Sequence, residues 1–172
     1  MRLPLTEPQP LSGMHQLADF DCGEVELDDW LQRRALVNQL GGASRTFVVA
    51  DADNRVHGYY ALAAGAISHE LALGRIKRNM PDPVPAIVLA RLAVDRQAQG
   101  IQLGGALLKD ARQRVLAIAE HAGVRAMLVH ALHERAQRFY EHYGFESSPL
   151  QPLVMMLRLE REAASAQCAS PR

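Results

Sequence analysis

The apolar positions of this chain predict short strands that alternate with amphipathic helices. Six stretches are rich in β-branched, aromatic or other apolar residues over strand lengths, and several are bounded by turn-forming residues. The turn sequence DADN at 51–54 joins two of them and predicts an antiparallel pair, whose second strand is either continuous or bulged near Gly65. The predicted strands are residues 14–20, 45–50, 56–68, 88–94, 125–132 and 152–159.

Three further stretches have helical spacing. Residues 24–40 place apolar side chains along one face, carry acidic residues in the first turns and end at a Gly-Gly pair. The other two predicted helices are residues 103–122 and 133–143, which are followed by Gly123 and Gly144. The order β-α-β-β-β-α-β-α-β predicts an α/β protein, with a mixed sheet and helices on its faces.

The chain has 172 residues, which is enough for one domain with a sizeable core. We expect a proline-rich, extended N-terminal segment over residues 1–12, a single domain over residues 13–160 and a flexible tail over residues 161–172. No internal repeat or domain boundary is visible in the pattern.

Composition narrows the class of protein only slightly. A hydrophobic content of 48% and a charged content of 22% are typical of a soluble globular protein. The formal net charge of zero predicts no polyanion partner from the whole chain, although a local basic patch is compatible with it. Cys22 and Cys168 lie far apart, which favours reduced thiols in a cytosolic protein. We expect no secretory signal and no membrane span.

A loop with three glycines, Gly100, Gly104 and Gly105, connects the predicted strand 88–94 to the helix that follows. Backbone N–H groups at such a junction can point at phosphate oxygens. The loop lacks the G-x-G-x-x-G of dinucleotide-binding folds and the Gly-Lys-Ser/Thr of nucleotide P-loops. On the residues alone, it is either a phosphate-binding turn of another kind or a turn whose glycines serve only packing.

Basic residues concentrate in one irregular region, where Arg75, Lys77 and Arg78 precede a series of prolines. Such a cluster is either a solvated loop or a contact for a phosphate backbone, and no interleaved aromatic residue indicates base stacking. Arg33 and Arg34 lie on the polar side of the first predicted helix, where a solvated face is the simplest interpretation.

Tyr140 is the candidate catalytic group. A phenol with a pKa near 10 can protonate a departing thiolate, but Phe139 and Tyr140 are equally compatible with aromatic packing in the core. The seven histidines show no metal-ligand spacing with cysteine or acidic residues, so no metal site is predicted. Neither cysteine lies in a nucleophile motif.

Two stretches together resemble the GNAT superfamily of acyl-CoA-dependent N-acetyltransferases. The sequence QGIQLG at 99–104 resembles the family's Gln/Arg-x-x-Gly-x-Gly/Ala loop, with Gln102 where the first motif glycine is expected. LARLAVD precedes it, and ALHERAQRFYEHYGFESS resembles the family's Asn-x-x-Ala-x-x-Phe-Tyr-x-x-x-Gly-Phe segment, with His133 at the Asn position. The resemblance implies the GNAT fold, a mixed, mostly antiparallel sheet flanked by helices.

The sequences DFDCGEVELDDWLQRRA, RTFVVAD and VHGYYALAAGAI further resemble the GNAT toxins of bacterial toxin–antitoxin modules. This resemblance implies an enzyme that transfers an acetyl group from acetyl-CoA to the α-amino group of aminoacyl-tRNA, which blocks translation in the cytoplasm. It also implies a homodimer and a ribbon-helix-helix antitoxin. The protein would then contact DNA only indirectly, through this antitoxin. Two alternatives stay open: a GNAT enzyme for a small-molecule amine or protein N-terminus, and a non-catalytic CoA-binding regulator.

The resemblance also assigns roles to individual residues. Tyr140 matches the family's tyrosine and would protonate the CoA thiolate, and a backbone N–H at a strand bulge near Val94 would bind the oxyanion. Gln102 would either narrow the approach of the pyrophosphate or donate its amide to it. An α-amine with a pKa near 8 needs no strong general base. The residues expected to bind acetyl-CoA are Leu92, Ala93, Val94, Gln99, Gly100, Ile101, Gln102, Leu103, Gly104 and Gly105.

A tRNA substrate would require a positive surface near the acetyl group. A net charge of zero is compatible with such a surface if the acidic residues of the first helix lie outside it. The residues expected on the tRNA surface are Arg33, Arg75, Lys77, Arg78 and Arg91, with Arg34 as an extension.

Overall fold

Seven strands form one sheet within residues 4–160, the part of the chain that the computed structural model describes. They are β1 Gln9–Pro10, β2 Arg45–Ala50, β3 Val56–Ile67, β4 Val84–Val94, β5 Ala126–His130, β6 Glu146–Ser147 and β7 Val154–Arg158. Their order is β1-β2-β3-β4-β5-β7-β6, in which β4 and β5 are parallel and the other neighbours antiparallel. The predicted mixed, mostly antiparallel sheet is confirmed.

Within the described residues, five α-helices flank this sheet, and a 3₁₀ helix, Arg96–Ala98, follows β4. The α-helices are α1 Val25–Arg33, α2 Ala35–Gly41, α3 Gly74–Lys77, α4 Leu103–Ala119 and α5 Glu134–His142. The single helix predicted over residues 24–40 is wrong, because the chain breaks at Arg34, whose φ is −117°. No proline or glycine marks the break, so the residue pattern did not indicate it. α5 ends as predicted, since Gly144 has a φ of +94° and the N–H of Phe145 donates to the carbonyl of Tyr140.

The first strand differs from the predicted one. β1 pairs with β2 through Gln9 and Val48, whereas residues 14–20 form turns with one isolated bridge from Gln16 to Arg55. Met14 is exposed, so this stretch lacks the regular alternation of buried and exposed side chains that a strand on a covered sheet needs.

The strand register places the helices on two faces of the sheet. Tyr59 and Ala93 pack under α1 on one face, which we call the α1 face. α3 covers the same face nearer the start of β4, because Ile76 packs with Ala86. On the opposite face, called the α4 face, Tyr60 packs in a core formed with α4 and α5.

β4 and β5 are paired along only part of their length. Residues 86–89 of β4 pair with residues 126–129 of β5, but β4 continues to Val94. Ala90 is skipped in the pairing with β3 and forms a bulge where the two strands separate. β3 itself pairs regularly through Gly65, so the alternative of a bulge there is wrong. A gap between β4 and β5 therefore connects the two faces of the sheet.

Within residues 4–160, no helix has the length and apolar character needed to cross a membrane. In the same range, no group of three or more His, Cys, Asp or Glu side chains is arranged to hold a metal ion. The predicted tail, residues 161–172, lies outside the described residues.

Candidate active site

A cavity of about 440 Å³ fills the gap between β4 and β5. Val88 and Leu89 of β4 and Val129 of β5 form its apolar wall. This volume is within the range of small-molecule sites and suits the arm of a cofactor with its reacting group. The polar residues that line the cavity are Cys22, Glu24, Glu26, Arg91, Gln99, His130, His133, Arg135 and Tyr140.

Tyr140 reaches this cavity from α5. Its ring packs against Phe139 and Phe145 at centroid distances of 5.1 and 5.4 Å, so aromatic packing does hold the ring. Within residues 4–160, its hydroxyl has no hydrogen-bond partner. Burial raises the pKa of Tyr140 above its ordinary value near 10, so the phenol stays protonated at neutral pH. This arrangement suits a proton donor whose ring is fixed and whose hydroxyl is available.

The end of β4, beyond its pairing with β5, also lines the cavity. It contains Leu92, Ala93 and Val94. An extended ligand can add to this edge as a strand does. The carbonyl of Val94 is occupied, since it accepts from the side-chain amide of Gln99 at 3.0 Å. The bulge expected near Val94 is wrong: it lies at Ala90, roughly 13 Å earlier at 3.3 Å per residue, where separation from β5 begins. The candidate oxyanion site is therefore the backbone near Ala90.

The loop after β4 contains two residues in the left-handed region, Gly100 with φ +87° and Gln102 with φ +62°. A left-handed conformation costs a non-glycine residue roughly 1 kcal/mol, which is the physical reason a glycine is expected at position 102. The Gln102 side chain is exposed and makes no capping bond to α4, and Ile101 is also exposed. The loop therefore keeps the backbone shape of the motif without its first glycine.

The start of α4 leaves the N–H groups of Leu103, Gly104 and Gly105 outside the helical ladder, because the first helical bond runs from Ala106 to Gln102. Such groups and the helix dipole favour an anion. A Cβ at Gly105 would collide with the hydroxyl of Tyr143, so a glycine here lets that side chain pack against α4. The helix start fits the phosphate-binding interpretation, and Gly105 also serves packing.

His133, at the position of the family's Asn, caps α5. Its Nδ1 accepts from the N–H of Ala136 at 3.1 Å, so this departure preserves the helix start. Its Nε2 lies 3.0 Å from Oε1 of Glu24, and an Nη2 atom of Arg135 lies 3.8 Å from the same oxygen. Sequence reasoning missed this contact because Glu24 and His133 are 109 positions apart and neither belongs to a shared motif.

The acidic residues of the first helix are not all remote from the site, contrary to the expectation. α1 packs with its N-terminus towards the gap, so Glu24 and Glu26 line the cavity. Asp28 accepts from the backbone N–H of Cys22 at 2.9 Å. Burial and Asp28 raise the pKa of the Cys22 thiol to about 12, which excludes it as a thiolate nucleophile at neutral pH.

Comparison with known proteins decides the family. A model of the acetyltransferase (GNAT) domain matches residues 43–147, more than half of the chain. The chain belongs to the GNAT acetyltransferase family. It is 51% identical over 153 residues to a tRNA-acetylating toxin of Mycobacterium tuberculosis, and the alignment covers 89% of this chain and 92% of that one.

Solved structures of GNAT toxins have the same fold. AtaT complexed with acetyl-methionyl-tRNAfMet matches with a TM-score of 0.83 and 25% identity, over 90% of this chain and 95% of that one. A mutant AtaT toxin bound to the C-terminus of the antitoxin AtaR and acetyl-CoA matches with a TM-score of 0.76 and 25% identity, over 90% and 93% of the two chains. The GNAT fold implied by the motifs is confirmed.

The basic residues expected on the tRNA surface of this GNAT domain are differently engaged. Arg75 forms an ion pair with Glu146, and the Nζ of Lys77 donates to the carbonyl of His69 at 2.9 Å. The side chain of Arg78 is exposed and has no partner within residues 4–160.

Arg91 lies on the α1 face, in the wall of the cavity. Its guanidinium is 5.4 Å from the centroid of the Trp30 ring, and its Nε is buried without a hydrogen-bond partner among residues 4–160. Arg33 is exposed at the end of α1. α3 packs at the start of β4, roughly 20 Å from Arg91 along the strand at 3.3 Å per residue. The structure therefore places these residues on one face but does not bring all of them together.

Proposed function

We propose that this protein is the toxin of a type II toxin–antitoxin module, which transfers the acetyl group of acetyl-CoA to the α-amino group of aminoacyl-tRNA and so blocks translation. The observation that carries the proposal is the 51% identity to a tRNA-acetylating toxin over nearly the whole length of both chains. The gap between β4 and β5, with Tyr140 in its wall, supplies a site for the reaction.

Acetyl-CoA would bind along the gap from the start of α4. The open N–H groups of residues 103–105 would hold the pyrophosphate, and the left-handed residues at 100 and 102 shape the backbone before them. The pantetheine arm would extend along Leu92–Val94, where β4 has lost its parallel neighbour. The thioester would then lie between the Ala90 bulge and Tyr140.

Transfer needs attack by a neutral amine on the thioester carbonyl. The new C–N bond forms as the carbonyl becomes an oxyanion, which the backbone near Ala90 would stabilise. Collapse breaks the C–S bond, and the thiolate of CoA takes the proton of the Tyr140 hydroxyl. The nitrogen loses one proton, and Tyr140 regains one from solvent. The products are an acetamide and the free thiol of CoA.

The acceptor would approach over the α1 face. Arg91 lies in the cavity wall on that face, and Arg33 and Arg78 present exposed charges on α1 and next to α3. The 3′ end of a charged tRNA carries phosphates close to the amine, and basic side chains near the cavity would bind these phosphates. With a tRNA substrate, the protein would act in the cytoplasm.

The direct test is acetyl transfer in vitro with labelled acetyl-CoA. Wild-type protein should label charged tRNA but neither deacylated tRNA nor the corresponding free amino acid. Labelling of small amines or peptide N-termini instead would favour a different GNAT acetyltransferase. Binding of acetyl-CoA without transfer to any acceptor would favour a non-catalytic regulator.

The proposal includes two assemblies. AtaT has been solved with the C-terminus of its antitoxin, which supports an antitoxin partner for this chain, and we propose that it has a ribbon-helix-helix DNA-binding part. Contact with DNA would then occur only through that partner. We also propose a homodimer, which light scattering of the purified protein tests. Relief of growth arrest by co-expression of a candidate antitoxin tests that partner.

A further inference from the structure

Glu24 and His133 meet across the gap between β4 and β5. Glu24 precedes α1 on one face of the sheet, and His133 begins α5 on the other. The two side chains approach to 3.0 Å, are each 38% exposed, and both line the cavity that holds Tyr140. The contact therefore lies at the mouth of the candidate acetyl-transfer site.

The hydrogen bonds define the state of this pair. Because Nδ1 of His133 accepts from the N–H of Ala136, the neutral imidazole carries its proton on Nε2 and donates it to Glu24. Arg135 lies 3.8 Å from the same oxygen, Oε1. Within residues 4–160, the other oxygen of Glu24 has no partner. Glu24 is thus a carboxylate with one oxygen anchored and one available.

The backbone before Glu24 is anchored as well. The N–H of Arg96 donates to the carbonyl of Asp21 at 2.8 Å, and the N–H of Asp21 donates to Oδ2 of the buried Asp95 at 3.0 Å. The side-chain amide of Gln99 donates to the carbonyl of Cys22 at 3.1 Å. The segment that carries Glu24 is therefore fastened to the loop expected to hold the pyrophosphate, and its geometry is fixed before any ligand binds.

Glu24 lines the cavity from the α1 side, which is the side from which we propose that the acceptor amine approaches. The attacking nitrogen becomes positive as the C–N bond forms, and a fixed negative group beside it stabilises that charge. The other titratable groups lining the cavity are Cys22, Glu26, Arg91, His130 and Tyr140, of which only Glu26 is also a carboxylate. Glu26 makes no contact with His133 or Arg135 among the described residues.

We propose that Glu24 receives the acceptor amine of the reaction, a primary amine that is partly protonated at neutral pH, and takes its proton as the C–N bond forms. The proton moves from the nitrogen to the available carboxylate oxygen and then to solvent, while the thiolate takes its proton from Tyr140. His133 is a positioning residue, which holds Glu24 and caps α5. This role rests on the proposed acetyl transfer and names the amine side of the same site.

The competing explanation is a clamp that only ties α1 to α5. Glu24→Gln separates the two, because the amide oxygen can still accept from His133 while the charge is lost. The Glu24 side chain makes no capping bond to α1, so the substitution does not alter the helix start. Asp29→Asn makes the same change of charge at an exposed position of α1 outside the cavity lining and is the matched control. His133→Asn keeps a cap for α5 but cannot span the distance to Glu24.

The experiment measures acetyl-CoA affinity, thermal midpoint and single-turnover transfer at several pH values. For Glu24→Gln we expect about a hundredfold slower transfer at pH 7, with acetyl-CoA affinity and the thermal midpoint unchanged. The deficit should shrink as the pH rises past about 8, because the amine then arrives neutral and hydroxide replaces the carboxylate. His133→Asn should show a smaller deficit with the same pH trend, and Asp29→Asn should stay within about threefold of wild type.

A deficit of equal size at every pH, a deficit shared by Asp29→Asn, or transfer by Glu24→Gln within threefold of wild type would each overturn the proposal. In each case, the transfer rate of the variant is compared with that of the wild-type protein on the same acceptor. Failure of the wild type to label charged tRNA would therefore count against the tRNA substrate, whereas Glu24→Gln would still be measured on a small primary amine.

Discussion

The two faces of the sheet are built differently. On the α4 face, α4 and α5 share one continuous buried core, in which Leu107 and Tyr140 pack together with β3, β4 and β5 residues. On the α1 face the buried residues fall into two separate groups, one under α1 and α2 and the other under α3. Val88 and Arg91 of β4 lie between these groups and are only partly buried. The continuous face fixes the ring of Tyr140, the proposed proton donor, and the divided face leaves room for the proposed approach of the acceptor.

This difference assigns separate physical tasks to the two sides of the gap. A group that must hold one orientation benefits from dense packing, since interiors deform little. A surface that must admit a macromolecule cannot be closed by a helix. The contacts of Glu24 with His133 and of Asp21 with Arg96 then connect the open side to the packed side.

The largest expected effect concerns the packed side. Tyr140→Phe should slow acetyl transfer by about 10²- to 10⁴-fold, the usual range for loss of a general acid. The ring packing is retained and the hydroxyl has no protein partner among residues 4–160, so the free energy of unfolding should change by less than about 1 kcal/mol. Single-turnover transfer, acetyl-CoA titration and denaturant unfolding measure the three quantities.

Tyr143→Phe is the control for that substitution, because Tyr143 lies just beyond α5 and is 40% exposed. It should leave transfer within about twofold of wild type. Equal losses in both variants would mean that Tyr140 acts only through packing, and that the packed face supplies no proton.

A second expected effect is a shift in the ionisation of Tyr140. Burial raises the pKa of this phenol, so its ionisation should be less favourable than that of a free tyrosine of pKa near 10. The difference in phenolate absorbance between wild type and Tyr140→Phe should stay near zero up to about pH 10. Because the folded pKa exceeds the unfolded one, the stability from this group is intact below about pH 10 and is lost as the pH rises further. Phenolate absorbance from Tyr140 below about pH 9 would contradict burial of the donor.

A smaller effect is expected on the open side. Arg78→Ala should weaken binding of charged tRNA by roughly two- to fivefold, the range of an exposed ion pair. The slope of log affinity against log salt should fall by about 0.7 to 0.9, one phosphate contact. Arg75→Ala should have less effect, since Arg75 is already paired with Glu146. An unchanged slope in Arg78→Ala would make this region a solvated surface with no part in tRNA binding.

The contrast between the faces also explains which features could be predicted from the sequence. The α4 face is built from local signals: the glycine loop, the spacing of Leu103, Leu107 and Ala111, and the Gly144-Phe145 helix end each act within a few residues. The sheet class and the position of Tyr140 follow from them. These are the parts in which local preference and the final fold agree.

The α1 face depends on contacts between distant residues. The break at Arg34 carries no local signal, and β1 pairs with β2 through Gln9 and Val48, which lie far apart in the chain. Glu24 meets His133 only because β4 and β5 separate at the Ala90 bulge. The expectation that the acidic side chains of the first predicted helix lie away from the site is therefore wrong for two of them, Glu24 and Glu26, which line the cavity.

The smallest expected effect tests whether backbone shape alone enables the loop before α4 to bind acetyl-CoA. Gln102→Gly relieves a left-handed conformation worth roughly 1 kcal/mol but adds freedom to the unfolded chain, so the free energy of unfolding should change by only about 0.5 kcal/mol. Gly100→Ala, which forces a side chain into φ +87°, should instead cost about 1 to 2 kcal/mol.

Acetyl-CoA affinity separates the two roles open to Gln102. The side chain is exposed and forms no cap, and the backbone already has the shape that glycine would give. We therefore expect Gln102→Gly and Gln102→Ala to bind acetyl-CoA within about twofold of wild type, as a backbone cradle requires. If both variants bind about fivefold more weakly, the amide of Gln102 donates to the pyrophosphate, and the missing glycine has been replaced by a side-chain contact. A gain confined to Gln102→Gly would show that the side chain narrows the approach.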